Sequence, residues 1–430
     1  MQVGFHEPGR GSISVFLVVV FACFITVAAV LFAGAKSAAG RSMTDASLQL
    51  AGRSVLSEYD VRLLSDYGLI AFRGDEGRIE DTIIYYAEAS LAPKDPLYAF
   101  FRGGGSRILS QNERCEDVFV SLAGYSLLDT DTFESQIQAA FISQGLEALL
   151  SKNQGAGGSA NGATGREDGF GRTLRNRAIL SSLPSAGFEG PLFPSFGDLS
   201  DIPQIEDFVQ AGTALFTTSE YALIVFGNHV DGAKEDRFFG NEVEYLIAGK
   251  YDDEANYNNV KHRLRALRFL LNNIALLSDR EKMAEVEEIA LIAAAVSGET
   301  LYEAVRIGIV EAWVTAETGN DLMLLEKGEK VALIKTKSHW ATQNIVEIWA
   351  GWTGSEPTHA ADTGGFAYRD YLRLMLYILD RETKLLRMMD LMQINLKGTY
   401  SEDFLLREYH VGFRFECSVD GERYAYIEKY

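Results

Sequence analysis

The chain has little of what most often marks chemistry. Only three cysteines and six histidines occur among its 430 residues. Neither type recurs at metal-ligand spacing, and His6, His229, His262, His339, His359 and His410 form no HExxH. No Gly-x-Ser-x-Gly elbow is present, and no Gly-Lys-Ser/Thr follows a glycine-rich turn, which excludes those hydrolase and phosphate-loop signatures. Basic residues are also few, 40 Lys and Arg against 60 Asp and Glu, for a formal net charge of -20. Nucleic-acid binding needs clustered Lys and Arg, so it is excluded as a function class; an acidic chain suits a solvated exterior surface. The sequence therefore predicts no catalytic, cofactor-binding or metal-ligating residue, no cofactor, and no enzyme.

What is present is one long apolar run. Ile13 to Phe32 (ISVFLVVVFACFITVAAVLF) carries no charge, and no proline interrupts residues 13–67. A helix of this length spans a hydrocarbon core of roughly 30 Å with every peptide group paired inside the segment. Residues 13–33 thus read as a transmembrane helix after a short tail, 1–12. Beyond Lys36 the pattern turns amphipathic: Leu48, Ala51, Val55, Tyr59, Leu63 and Tyr67 step by threes and fours, predicting a helix over 34–67. Gly34, Gly40 and Gly52 each weaken it by about 1 kcal/mol relative to alanine, and a bend is expected near Gly40. Ala29/Ala33, Gly34/Ala38 and Ala35/Ala39 place small residues four apart, a spacing that lets membrane helices pack closely and that also occurs simply at the ends of spans.

The run has three readings. A cleaved signal peptide would use Ala33-Gly34-Ala35, but the run exceeds the usual apolar core and little positive charge precedes it. A retained anchor fits its length better. Type IV pilin-like processing would cut after Gly11 and leave Ser12 first. Arg10 stands before the span against Lys36, Arg41 and Arg53 after it, so charge bias does not favour an external C-terminus, although large domains translocate largely regardless of it.

Arg10-Gly11-Ser12-Ile13 followed by VFLVVVFACFITVAAVLF resembles the N-termini of TadE/TadG-like proteins of Tad (Flp) pilus systems. The blocks SVLSEYDVRLLSDYGLIAF (54–72), EVEYLIAGKYDDEANYNNVKHRLRALRFLLN (242–272), LIKTKSHW (333–340), AYRDYLRLMLYIL (367–379) and RMMDLMQINL (387–396) are similar to an uncharacterised membrane-protein family of Gram-positive anaerobes encoded near Tad pilus genes. The resemblance implies a pilus-associated membrane protein and no known activity. Polymerising pilins carry Glu five residues into the mature helix; counted from Ser12 that position is Phe16, which argues against a main pilin.

Along the chain, 68–151 reads as a mixed unit: a short strand at 68–72, a helix at 78–92 stopped by Pro93, a strand at 115–128, and a helix at 132–151. Residues 152–176 are Gly/Ser/Asn-rich, and Pro184, Pro191, Pro194 and Pro203 extend them, predicting a flexible linker over 152–203. Residues 204–400 are helical in pattern, with helices over 207–230, 254–277, 279–296, 299–318 and 366–396, and a strand within 329–340. Ser278 with Glu281 reads as a capping box, and Ile289–Val296, too short to span a bilayer, reads as core. In 401–430, His410–Val419 alternates Val411, Phe413, Phe415, Cys417 and Val419 on one face; Asp420-Gly421 then turns a hairpin that pairs Val419 with Glu422, Cys417 with Tyr424 and Phe415 with Tyr426. The expected fold is α+β: a long N-terminal helix, a small antiparallel sheet closed by the C-terminal hairpin and joined by the strands at 68–72 and 115–128, and a large inserted helical bundle.

Each candidate site has a plainer alternative. His229, Asp231 and Asp236 as metal ligands stand against a solvated helix-to-loop segment. Asp252, Asp253, Glu254, Asn256 and Asn258 as calcium ligands stand against acids decorating a helix N-terminus, and Asp129 and Asp131 against a helix cap. Glu287 and Glu288 read as an exposed helical face. Trp340, Trp349 and Trp352 near Tyr368 and Tyr371, as a binding groove, stand against packing. Cys115 and Cys417 read either as one disulfide in an oxidising exterior or as two separate half-buried thiols. The expected function is that of a membrane-anchored extracytoplasmic structural protein, pilus-associated or pseudopilin-like, with lipid as a partner through Ile13–Phe32 and pilus components or other membrane helices as further partners. An independent cell-envelope protein binding a ligand or matrix component is the alternative.

Overall fold

The computed structural model describes residues 11–91, 115–154, 172–188, 205–234, 237–297, 301–341 and 364–430. In chain order the elements are α1 (Gly11–Leu56), α2 (Val61–Tyr67), β1 (Phe72–Arg73), α3 (Glu76–Leu91), β2 (Cys115–Ser121), α4 (Thr130–Gln154), α5 (Arg177–Ser182), α6 (Ile205–Val225), α7 (Glu242–Ala248), α8 (Asp253–Ser278), α9 (Arg280–Ser297), α10 (Tyr302–Glu326), α11 (Tyr368–Ile378), α12 (Arg381–Thr399), β3 (Tyr409–His410), β4 (Gly412–Val419) and β5 (Glu422–Lys429). The protein is α+β and divides into two compact units. Unit 1 comprises residues 1–60, 70–126 and 408–430; unit 2 comprises 61–69 and 127–407.

α1 is one unbroken helix of 46 residues, roughly 70 Å long at 1.5 Å per residue. The helix runs unbroken through Gly34, Gly40 and Gly52, since helical bonds need no side chain. Thr44, Ser47, Leu48, Ala51, Gly52 and Val55 are buried along one stripe. The expected helix over 34–67 is corrected at its end, which falls at Leu56. Ser57 Oγ turns back to the Ser54 carbonyl at 2.6 Å, Tyr59 bridges Phe72, and the Asp60 amide donates to the Ala71 carbonyl at 2.8 Å. The chain thus leaves the helix for extended pairing, and the stripe residues Leu63 and Tyr67 are buried within unit 2 instead.

In unit 1, α1 and α3 contribute to one core with the sheet β2-β4-β5. That core gathers Leu48, Ala51 and Val55 from α1, Ile79, Ile83 and Ala87 from α3, and Cys115, Val120, Phe413, Phe415, Cys417 and Val419 from the strands. Burying each of the larger side chains stabilises the unit by about 1.5–3 kcal/mol. The hairpin has the predicted register, Val419↔Glu422, Cys417↔Tyr424 and Phe415↔Tyr426. Asp420 and Gly421 have φ of 52° and 77°, as a two-residue turn between right-twisted strands requires. β2 joins β4 as expected but ends at Ser121, and its free edge is closed by α3: Glu80 and Glu76 accept from the amides of Val120 and Leu122 at 3.1 and 3.2 Å. The strand expected at 68–72 is only β1, and it pairs with β3 in a separate ladder.

Unit 2 is helical and departs from the sequence expectation in several places. α4, expected in the mixed unit 68–151, belongs here; Phe133 and Ile137 are buried, and Asp131 and Glu134 pair with Arg381. Residues 172–188, expected within the flexible linker 152–203, fold onto this unit, because Leu174 and Leu183 find buried places and Asn176 caps α5. Residues 152–154 of that linker close α4, and 155–171 and 189–203 lie outside the described residues. The helix expected over 366–396 is two, since Asp380 accepts from the Thr383 amide and starts α12. The capping residue of α9 is Asp279 rather than Ser278, whose hydroxyl donates to Ile274 and closes α8. Within 329–340 there is an isolated bridge, Val331↔Phe366, and a 3-10 turn in place of a strand. Ile289–Val296 is core only in part: Ala290 and Ala294 are buried and Ile289 packs against the core, while Leu291 and Ile292 are about 60% exposed.

Candidate functional site

The first candidate is α1. From Ser14 to Ala39 every residue is exposed, and this is a helix long and apolar enough to cross a membrane. Its next turns are fixed to the hairpin. Arg41 pairs with Glu422, and Tyr426 donates to Asp45 at 2.6 Å. Lys36, Ser37, Gly40 and Arg41 face Asp420, Glu422 and Tyr424 across a cleft of about 350 Å³. Basic and aromatic side chains therefore gather where the apolar run ends, the composition found at lipid–water boundaries.

The second candidate is the polar interior of unit 2. All seven residues of α7 are buried, including two acids in its first turn. Glu242 accepts from the Gly227 amide at 2.8 Å and from Asn395 Nδ2 at 2.7 Å. Glu244 Oε1 accepts from the His229 amide and the Tyr368 hydroxyl, both at 2.9 Å, while Oε2 is buried without a hydrogen-bond partner. Burial pushes the Glu244 carboxyl up to about 7, so it holds its proton near neutrality. At the other end of α7, Arg387 donates to the Leu246 and Ile247 carbonyls. A cation at the C-terminus complements the helix dipole. Gly249 ends α7 at φ 65°, and a Cβ there would lie 2.5 Å from Arg387 Cζ.

A separate network joins α8 and α10. Arg268 donates to Asp321 at 2.7 and 3.0 Å, to Asn272, to the carbonyls of Ala332 and Leu333, and to Tyr371. Lys335 pairs with Glu317 and Asp321, so two cations and two anions balance in the interior. Lys384 Nζ lies 3.0 Å from Ser219 Oγ, and burial lowers its pKa to about 8. That spacing matches a serine–lysine dyad, but both side chains are wholly buried and Lys384 also donates to the Leu376 carbonyl, so the pair is packing rather than a reaction centre.

The residues weighed in the sequence do not converge. His229 stacks on Tyr257 at 3.8 Å and its Nδ1 meets Asn241, whereas Asp231 accepts from Asn228; Asp236 lies outside the described residues. Asp252 caps α8 and accepts from Thr173, Asp253 holds the Gly240 and Asn241 amides, and Asn256 spans Lys250, so their oxygens serve backbone groups. Glu254 and Asn258 are exposed. Asp129 caps α4. Among the described residues no group of three or more His, Cys, Asp or Glu is placed to hold a metal ion. Trp340 is buried against Trp313 with Lys282 over both rings, and Tyr368 and Tyr371 are core; Trp349 and Trp352 lie outside the described residues. The interior acids of α7 were invisible to pattern reading, though Glu-Val-Glu within an otherwise apolar segment was a signal.

The fold so defined is a helix-and-sheet unit carrying an apolar N-terminal extension, and a helical unit formed by residues 61–69 and by the long segment between β2 and β3. The chain belongs to DUF5702, a family of unknown function, whose model matches residues 182–421. No curated protein and no solved structure matches it.

Proposed function

We propose that this chain is a membrane-anchored extracytoplasmic structural protein, a Tad/Flp pilus-associated or pseudopilin-like component without enzymatic activity. The observation that supports it is α1: one rigid helix, apolar and exposed through Ala35, whose later turns share a core with an antiparallel sheet. The apolar half lies in lipid through Ile13–Phe32 and packs beside other membrane helices, and residues 34–430 stand outside the cell. Continuity of the helix transmits the position of the anchor rigidly to unit 1. Phe16, where polymerising pilins carry Glu, favours an accessory role over that of a main subunit, and it equally suits an independent cell-envelope protein binding a ligand or matrix component.

The test is the N-terminus of the mature protein from its native membrane fraction. A start at Ser12 supports pilin-type processing and pilus incorporation. An intact N-terminus supports a permanent anchor in an assembly accessory or a separate surface protein. A start at Lys36 removes the apolar run and overturns the anchor.

A further inference from the structure

Unit 1 holds two cysteines, 115 and 417, that its topology brings together. Cys115 opens β2 and Cys417 lies in β4; the ladder sets Cys115 opposite Val419, so Cys417 is the diagonal neighbour on the same face. Both are free thiols, both are buried, and both belong to the core under α1. Each thiol shifts the other, Cys115 downward and Cys417 upward, as neighbours in one core do. The expectation of two thiols is met, but they are buried rather than half-buried and share one core. β2 and β4 are covalently connected only through the long path that contains residues 127–407 of unit 2. Few crosslinks in this chain would close so large a loop.

We propose that Cys115 and Cys417 form a disulfide that staples β2 to β4 and makes the sheet of unit 1 independent of the integrity of unit 2. The inference goes beyond the anchor reading and does not depend on it. The oxidant is a dithiol-derived or small-molecule disulfide. The Cys115 thiolate attacks one of its sulfurs and expels one thiol, giving a mixed disulfide at Cys115. Cys417 then loses its proton and attacks the Cys115 sulfur, expelling the second thiol. The protein gives up two protons and two electrons, and the oxidant leaves as two thiols. The interaction with the neighbouring thiol lowers the Cys115 pKa and raises that of Cys417, which favours Cys115 as the first nucleophile.

The test uses the full chain in detergent micelles with Cys23→Ser, which removes the exposed third thiol, and with a specific protease site inserted after Gly162. The protein is treated with oxidised glutathione, either folded or during refolding from urea, then cleaved and run on a denaturing gel. The expected result is one band without reductant and two with it, in at least the refolded sample. Adding Cys115→Ser or Cys417→Ser gives two bands under both conditions. The closed form should also melt about 3 °C or more above the reduced form. Two bands without reductant in both the folded and refolded samples of the parent, whose cooperative melting shows it is folded, would overturn the proposal.

Discussion

A carboxylic acid sealed in a protein interior binds its proton more tightly than in water, and Glu244 shows the consequence. Its pKa of about 7 lies above the ordinary 4.5, and that of Asp390, at about 6, lies above 3.8. Below those ordinary values both states hold the proton. As pH rises towards 7 the unfolded chain releases it first, so stability falls and the loss is complete above about 7. Buried lysines act at the other end. Lys384, lowered to about 8, and Lys234, lowered to about 7, penalise folding at low pH, and stability returns as pH climbs from there to about 10.5. Unit 2 is therefore expected to be least stable near pH 7–8 and more stable at pH 5, read by urea midpoints across that range. Glu244→Gln, which mimics the protonated acid, should flatten the fall between pH 5 and 7. A midpoint that rises steadily from pH 5 to 7 in the parent contradicts this assignment. The Arg268 network makes a second prediction. Arg268→Ala leaves Asp321 with a single cation partner in the interior and should cost about 3–5 kcal/mol, seen as a lower melting temperature.

Elements rest on contacts between side chains, and the glycines of α1 separate two kinds. A Cβ at Gly34 or Gly40 meets nothing within 4 Å, so alanine at either position should stabilise the helix by about 1 kcal/mol. A Cβ at Gly52 would lie 2.8 Å from Glu428 Cγ and 3.0 Å from Phe415 Cε1, so this glycine sets how closely α1 approaches the sheet. Gly52→Leu should destabilise unit 1 by about 1–3 kcal/mol through overpacking, measured by thermal unfolding beside Gly40→Ala as the contrasting control. Local patterns of this kind decide what a sequence reveals. The hairpin was legible to the residue because Asp420-Gly421 and the alternation from Val411 to Val419 are both local signals. The break after Leu56 was not, since Tyr59, Leu63 and Tyr67 continue the helical spacing while the buried members of that series serve a different core. α12 was harder still. Lys384, Arg387, Asp390, Gln393 and Asn395 are polar yet all are buried, with partners remote in sequence such as Ser219, Tyr245 and Ser182. Ile289–Val296 was legible only in part, because Ile289, Ala290 and Ala294 pack there while Leu291 and Ile292 stay exposed.

At the scale of the whole molecule, the account rests on where the apolar half of α1 lies. A helix whose backbone is fully paired and whose exposed surface is apolar over its first 25 or so residues is at home in lipid and costly in water. The same helix continues without interruption into the core of unit 1, so anchor and head are one element rather than two joined by a linker. The most direct measurement is reagent accessibility in intact cells. Glu254→Cys, an exposed position in unit 2, is introduced into the Cys23→Ser chain and treated with a membrane-impermeant maleimide. The account predicts labelling of cells that have not been permeabilised, with the protein retained in the membrane fraction after alkaline washing. Labelling only after permeabilisation, or release of the protein by the wash, would contradict it.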